Sequence, residues 1–207
     1  EILRCLVGSE MCIRDRILSK VIKEGIYMEQ CNKKCPLMEN DKIRIAGVQK
    51  ESIVDGPGIR YVVFTQGCPH HCKGCHNMQT HDFNGGKMVS INEIANDIKK
   101  NPLIKGVTIS GGEPFVQAKQ VSKLIDSLQD KNYDYMVYTG YNYENLLQNA
   151  NDSNGYMDLL KRTDVLMDGK FVEELKNENT IFRGSTNQRA IECKNSLQNG
   201  SIMFHEF

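Results

Sequence analysis

From residue 43 onward, apolar and polar positions follow two rhythms. Short β-branched and aromatic runs read as strands: Ile43–Val48, Ile59–Thr65 (IRYVVFT), Gly106–Ser110 (GVTIS), Tyr135–Tyr138 and Val165–Met167, with Ile202–Phe204 as a last one. Between them, apolar residues recur at helical spacing. Ile91, Ile94, Ala95 and Ile98 form one face, opened by the capping-box sequence Ser90-Ile91-Asn92-Glu93 and closed by Asn101-Pro102. Val121, Leu124, Ile125 and Leu128 stripe a helix over Gln117–Asp130. Tyr143–Gln148, Tyr156–Lys161 and Phe171–Lys176 read as shorter helices, and Asp55-Gly56-Pro57-Gly58 as a turn.

Strands alternating with helices over short connections predict an α/β fold, a mostly parallel sheet with crossover helices. Four or five strand–helix units fit between residues 41 and 207. A closed eight-unit barrel takes about 250 residues, so the expectation is an incomplete, open (β/α) barrel forming one domain over 41–207. Residues 1–40 read differently: they hold Cys5, Cys12, Cys31 and Cys35, two basic runs and no sustained apolar period. They are expected to be an appendage, disordered or artefactual, with Met28 and Met38 as alternative starts.

Composition narrows the function. The 207 residues carry 26 Lys+Arg against 26 Asp+Glu, with 25% charged and 40% hydrophobic positions. That balance argues against a basic nucleic-acid-binding surface and against an acidic disordered chain. There is no run of about 18 apolar residues to span a membrane, and Arg4 interrupts the first apolar stretch, so no secretory signal is expected. Eight cysteines in a chain with no export signal point to a cytoplasmic protein using thiols as metal ligands or catalytic groups.

The chemistry concentrates at strand ends. Cys68, Cys72 and Cys75 lie in the loop after Ile59–Thr65, in Cys-Pro-His-His-Cys-Lys-Gly-Cys. Three thiolates on one loop suit a [4Fe–4S] cluster with one iron left for a substrate. A Cys3His zinc site including His76 is the alternative, disfavoured because Cys75 and His76 are adjacent. His70 and His71 read as exposed loop residues. After the next strand, Ser110-Gly111-Gly112-Glu113-Pro114 offers two glycines that let a ligand touch backbone, and in Glu113 a carboxylate for a ligand ammonium. Neither dinucleotide nor phosphate-loop glycine patterns occur. Thr139-Gly140-Tyr141 and the Asp168/Lys170 turn end two further strands, and ligands of open α/β sheets sit outside such ends. The polar run Phe182–Arg189 would cap that face or cover the sheet edge.

These segments together resemble the radical S-adenosylmethionine superfamily: Cys68–Cys75 is its CxxxCxxC motif, and Ser110–Pro114 is similar to its glycine-rich motif. More narrowly, Ile53–Arg60, Gln66–Asn77, Val137–Tyr141, Met167–Val172 and Phe182–Arg189 resemble the anaerobic ribonucleoside-triphosphate reductase-activating proteins, over about residues 41–207. Gly74 replaces the aromatic that often precedes the third cysteine, as in that narrower family. The resemblance implies a radical-SAM-type barrel in which Cys68, Cys72 and Cys75 hold a [4Fe–4S] cluster. S-adenosylmethionine would contact Gly74, Cys75 and His76 on its adenosyl side and Gly111, Gly112 and Glu113 on its amino-acid side, with Asp168 and Lys170 as further cofactor-binding residues. It implies reductive cleavage of that cofactor, an electron from reduced flavodoxin or a similar donor, and a glycyl radical left on the large subunit of anaerobic ribonucleotide reductase. Neither nucleic acid nor membrane is implied as a partner. Competing readings are an activase of another glycyl-radical enzyme such as pyruvate formate-lyase, a small-molecule enzyme such as a deazapurine synthase, and a zinc-binding interaction module.

Overall fold

The structure, a computed structural model, describes residues 41–207. The appendage expected over 1–40 lies outside the described residues. Strands β1 (Lys42–Ser52), β2 (Arg60–Thr65), β3 (Lys87–Ser90), β4 (Gly106–Gly111), β5 (Asp134–Tyr138), β6 (Val165–Asp168) and β7 (Arg189–Glu192) form one sheet in the order β3-β1-β2-β4-β5-β6-β7. The centre, β2-β4-β5-β6, is parallel. At the sides the pairings are antiparallel: β1 with β2 and β3 with β1 on one, β7 with β6 on the other. The mostly parallel expectation therefore holds for the core and gives way at both flanks.

Helices α1 (Ile91–Lys100), α2 (Ala118–Asp126), α3 (Tyr143–Gln148), α4 (Tyr156–Arg162) and α5 (Cys193–Asn199) are found among the described residues. Consecutive parallel strands are added on one side, in the order 2, 4, 5, 6. Right-handed crossovers then put every linking helix on the same face. Strand alternation sorts the side chains accordingly. Tyr61, Val63, Val107, Ile109, Tyr135, Val137 and Leu166 pack under the helices, while Met136, Met167 and Ala190 form a second cluster on the opposite face. One face lined by helices and the other left concave is an open, incomplete (β/α) barrel.

Helix α1 shows how sequence becomes packing. Its stripe Ile91, Ile94, Ala95 and Ile98 is buried, and each Ile contributes roughly 1.5–3 kcal/mol by leaving water. Ser90 is the N-cap residue as expected, but its hydroxyl makes no capping bond. Other expectations need correcting. β1 runs on to Ser52 because Gln49 and Ser52 still pair with Val62 and Arg60 across a bulge. The Phe171–Lys176 helix shrinks to a 3₁₀ turn at Glu173–Leu175 with no buried residue to anchor it. Ile202–Phe204 contributes only an isolated bridge between Phe204 and Ile191. β3, β7 and α5 have short or polar-rich sequences that gave no clear period. No helix among the described residues is long and apolar enough to cross a membrane.

On the concave face Arg60 is fully buried. Its Nε donates to Thr108 Oγ1 at 2.6 Å, its Nη2 donates to the carbonyls of Val107 and Asp134 at 3.1 and 3.3 Å, and its Nη1 meets Asp134 Oδ1 at 2.5 Å. A buried guanidinium is tolerable because this fork of donors is met by acceptors from β4 and β5.

Candidate functional site

The three cysteines sit on the loop leaving the C-terminal end of β2, and that loop is closed at its base by backbone bonds. Gly67 N–H donates to Thr80 O at 2.8 Å and Cys68 N–H to His81 O at 3.1 Å. Gln66 Nε2 adds bonds to the carbonyls of Gln79 and Asp82. Within the loop, Cys75 N–H reaches Cys72 O at 3.3 Å, and Asn77 N–H donates to Cys75 Sγ at 3.4 Å. All three thiols are free, with Cys68 buried and the other two half-buried. Burial pushes the Cys68 thiol up, as do the charges of Glu113 and Cys72, while the His70 and His71 backbone N–H groups pull it down. A cationic centre that removes those protons would offset this cost.

The glycine turn after β4 packs directly on this loop. Gly112 N–H donates to Thr65 O, and Glu113 N–H donates to Gly67 O, both at 2.8 Å. Gly111 sits at φ +91°, and Glu113 caps the following 3₁₀ turn, Pro114–Gln117, by accepting from Phe115 N–H at 3.0 Å. The remaining capacity of its fully buried carboxylate is taken by Thr139 Oγ1 (2.9 and 3.0 Å), Gly140 N–H (2.9 Å) and His70 Nε2 (2.8 Å). The sequence expectation offered this carboxylate to a ligand ammonium; its acceptor sites are instead filled by the protein. The two glycines keep their place beside the cysteine loop.

The end of β6 also differs from expectation. Asp168 is buried and accepts from Tyr143 N–H at 2.8 Å and from Arg189 Nε at 2.9 Å, with a second, shorter bond from Arg189 Nη2. Arg189 also forks onto Glu144 at 2.8 and 3.0 Å, which lifts the guanidinium further above its ordinary range and holds the Glu144 carboxyl below its own. Asp168 thus joins β6, β7 and α3, rather than facing open space. Lys170 is exposed and lines an open cavity of about 640 Å³ together with His70, Gly140, Tyr141, Asn187 and Arg189. A slightly larger hollow, about 740 Å³, lies at the opposite strand ends among Lys105, Asp134, Arg162 and other charged residues, away from the cysteines.

Two residues of the cysteine loop meet the segment after β6. The His76 ring lies 5.4 Å from that of Phe171, and Lys73 pairs with Glu173 at 3.0 Å. Gly74, at φ +70°, leaves the room that the Glu173 side chain occupies. The polar run Phe182–Arg189 braces this segment: Gln188 Nε2 donates to Gly169 O and Asn187 Nδ2 to Lys170 O, at 3.0 and 2.9 Å. Its last residue opens edge strand β7, as the edge-covering alternative anticipates.

His70 is where the sequence reading fell furthest short. Read as an exposed loop residue, it has a side chain only 6% exposed. Thr139 and Arg189 lie in segments that the sequence marks as strand-end or polar loops, but nothing local marks their buried carboxylate partners, Glu113 and Asp168. His71 is exposed as expected, edge-on to His81 at 5.0 Å.

Among the described residues, no three His, Cys, Asp or Glu side chains converge tightly enough to hold a metal ion. A Cys3His zinc site requires such convergence. A cluster does not, since each thiolate binds a different iron and the ligands stand apart around it. The donor set, three free thiols on one loop, fits a cluster.

Comparison with known proteins follows the same line. The family described as "4Fe-4S single cluster domain" matches residues 54–191. The anaerobic ribonucleoside-triphosphate reductase-activating protein of Enterobacteria phage T4 is 34% identical over 143 residues, 66% of this chain and 85% of its own. Its counterpart from Escherichia coli K12 is 35% identical over 144 residues, 66% of this chain and 90% of its own. The pyruvate formate-lyase-activating enzyme of Clostridium pasteurianum is 35% identical over 138 residues, but these span 54% of that protein. A solved structure, QueE from Escherichia coli, aligns with 52% of this chain and 57% of its own at 17% identity and a TM-score of 0.39; the strand order, not this likeness, carries the fold.

Proposed function

The chain belongs to the 4Fe-4S single cluster domain family and, within it, to the anaerobic ribonucleoside-triphosphate reductase-activating proteins; from that premise we propose that it is a radical S-adenosylmethionine activase that installs a glycyl radical on the large subunit of anaerobic ribonucleotide reductase. The observation that carries the reading is the pair of 2.8 Å backbone bonds, Gly112 to Thr65 and Glu113 to Gly67, which bring the glycine turn against the base of the cysteine loop. A cluster ligand set and a backbone surface for a small zwitterion are thereby adjacent.

Cys68, Cys72 and Cys75 would hold a [4Fe–4S] cluster. Bound there, such a cluster would supply the electron, drawn from a reduced donor such as flavodoxin, for reductive cleavage of S-adenosylmethionine and, through it, removal of one hydrogen atom from a reductase glycine, with methionine and 5′-deoxyadenosine as products. This chain's residues do the rest. Gly111 and Gly112 bring bare backbone to the amino-acid end of the cofactor. Gly74, Cys75 and His76 flank the adenosyl side, and Phe171 orients the His76 ring. Lys170 lines the mouth of the cavity. Glu113 and Asp168 act at one remove, holding the strand-end loops in register.

Activation of pyruvate formate-lyase is the second reading, favoured by the 35% identity to such an enzyme; the near-complete coverage of the reductase-activating relatives, 85–90% against 54%, supports the first. Anaerobic protein with reductant and S-adenosylmethionine is mixed with either glycyl-radical enzyme. A glycyl doublet in electron paramagnetic resonance on the reductase chain is expected. A doublet on pyruvate formate-lyase alone would select the second reading, and efficient turnover of a small molecule without partner would sink both.

A further inference from the structure

Glu113 is a node. It is fully buried, and one carboxylate ties together the loops that leave three parallel strands: its own turn after β4, Thr139 and Gly140 after β5, and His70 in the cysteine loop after β2. An ionised carboxylate only accepts, so in this contact the His70 Nε2 carries the proton and donates, at 2.8 Å. His70 is the sole side chain of the cysteine loop that reaches this node among the described residues. The other bonds between the glycine turn and that loop are backbone bonds at its base, to Thr65 and Gly67.

The ring is also held in orientation. It stands edge-on to Tyr141 with centroids 4.5 Å apart. It fills the space where a side chain at residue 140 would be: a Cβ on Gly140 would come within 2.3 Å of the ring. With only 6% of its side chain exposed, water competes little for its hydrogen bond. The cysteine loop is thus held at a second point, two residues after Cys68 and two before Cys72.

We propose that His70 is a positioning residue: by bonding Glu113 it fixes the cysteine loop against the glycine turn, and so sets how the cluster and the amino-acid end of S-adenosylmethionine meet. The proposal rests on the functional reading above. Ligation by Cys68, Cys72 and Cys75 does not need His70; the relative placement of two binding surfaces does. Loss of the bond therefore acts on cofactor engagement rather than on cluster content.

Wild type, His70→Ala and His70→Gln are reconstituted anaerobically. Each is assayed for iron and sulfide, for S-adenosylmethionine affinity by calorimetry, and for the change that this cofactor makes in the electron paramagnetic resonance of the reduced cluster. Iron and sulfide are expected to match in all three. His70→Ala should bind S-adenosylmethionine at least about tenfold more weakly, as expected for losing a buried hydrogen bond to a charged group, with a diminished spectral response. His70→Gln, whose carboxamide N–H can reach Glu113, should recover most of both, and KM for the cofactor should move more than kcat. Unchanged affinity and response in His70→Ala overturn the proposal. Loss of iron from both variants also overturns it, because His70 would then serve cluster assembly. A wild type that takes up no cluster overturns the functional reading itself, and the proposal with it, and is recognised before any variant is compared.

Discussion

A Cβ on Gly112 would stand 2.5 Å from the carbonyl oxygen of Gly67, the residue that precedes Cys68. The glycine turn is thus in tight contact with the cysteine loop, besides the cofactor contact that the proposed function gives it. From sequence alone, Gly112→Val should leave the cluster intact and weaken only cofactor binding. The contact with Gly67 backbone, which has no rotamer by which to yield, changes that expectation. Gly112→Val should lower iron content after reconstitution as well as S-adenosylmethionine affinity; full iron content with lost affinity would restore the simpler view.

Gly74 tests the contact between the cysteine loop and the segment after β6. Its φ of +70° disfavours any side chain, and a Cβ would come 2.9 Å from Glu173 Oε1. The carboxylate can swing away, and its exposed pair with Lys73 is worth little, so backbone strain dominates. Gly74→Ala should lose about 1–2 kcal/mol in urea unfolding. A change within error would mean that the loop relaxes freely.

Cysteine substitutions separate ligand from core. Cys68→Ala, Cys72→Ala and Cys75→Ala should each abolish the absorbance near 400 nm after anaerobic reconstitution. Cys193→Ala should keep it. Cys193 is fully buried and its thiol is pushed up to about 12 by burial, so at pH 8 it should resist iodoacetamide until the chain is unfolded. Alkylation of native Cys193, read by mass spectrometry, would contradict its burial.

Arg60→Ala should be among the most damaging single changes outside the site. It leaves Thr108, two strand carbonyls and Asp134 without their donor and opens a cavity in the concave face. A loss of about 3 kcal/mol in urea unfolding is expected. Less than 1 kcal/mol would show that water replaces the guanidinium.

The Arg189–Glu144 fork predicts a pH window. Its hydrogen bonds hold the Glu144 carboxyl below 4.5 in the folded chain. A depressed carboxyl contributes stability that is present above the unfolded value, about 4.3, and disappears as pH falls through the folded one. Glu144→Gln should therefore melt slightly lower than wild type at pH 7, the effect small because the side chain is 55% exposed. The two curves should converge as pH falls through the lowered folded value. A gap that persists there would mean that packing, not charge, separates the variants.

The sequence by itself determined what local chemistry can encode. β-Branched and aromatic runs such as Tyr61–Thr65 and Val107–Ile109 announced the central strands, and the Ile91–Ile98 stripe announced α1, because each needs only neighbours along the chain to be recognised. The cysteine spacing was legible for the same reason. Tertiary structure alone decided the antiparallel flanks β3 and β7, whose four-residue segments gain their partners from residues far away in sequence. It also decided which carboxylates are free. Glu113 and Asp168 are in strand-end turns that read as open to a ligand. Their acceptor sites are filled by Thr139, Gly140 and His70 in one case and by Arg189 and Tyr143 in the other. No local pattern foretells that, because a buried carboxylate must find its donors wherever the fold brings them, and burial is a property of the assembled sheet and its loops rather than of any segment.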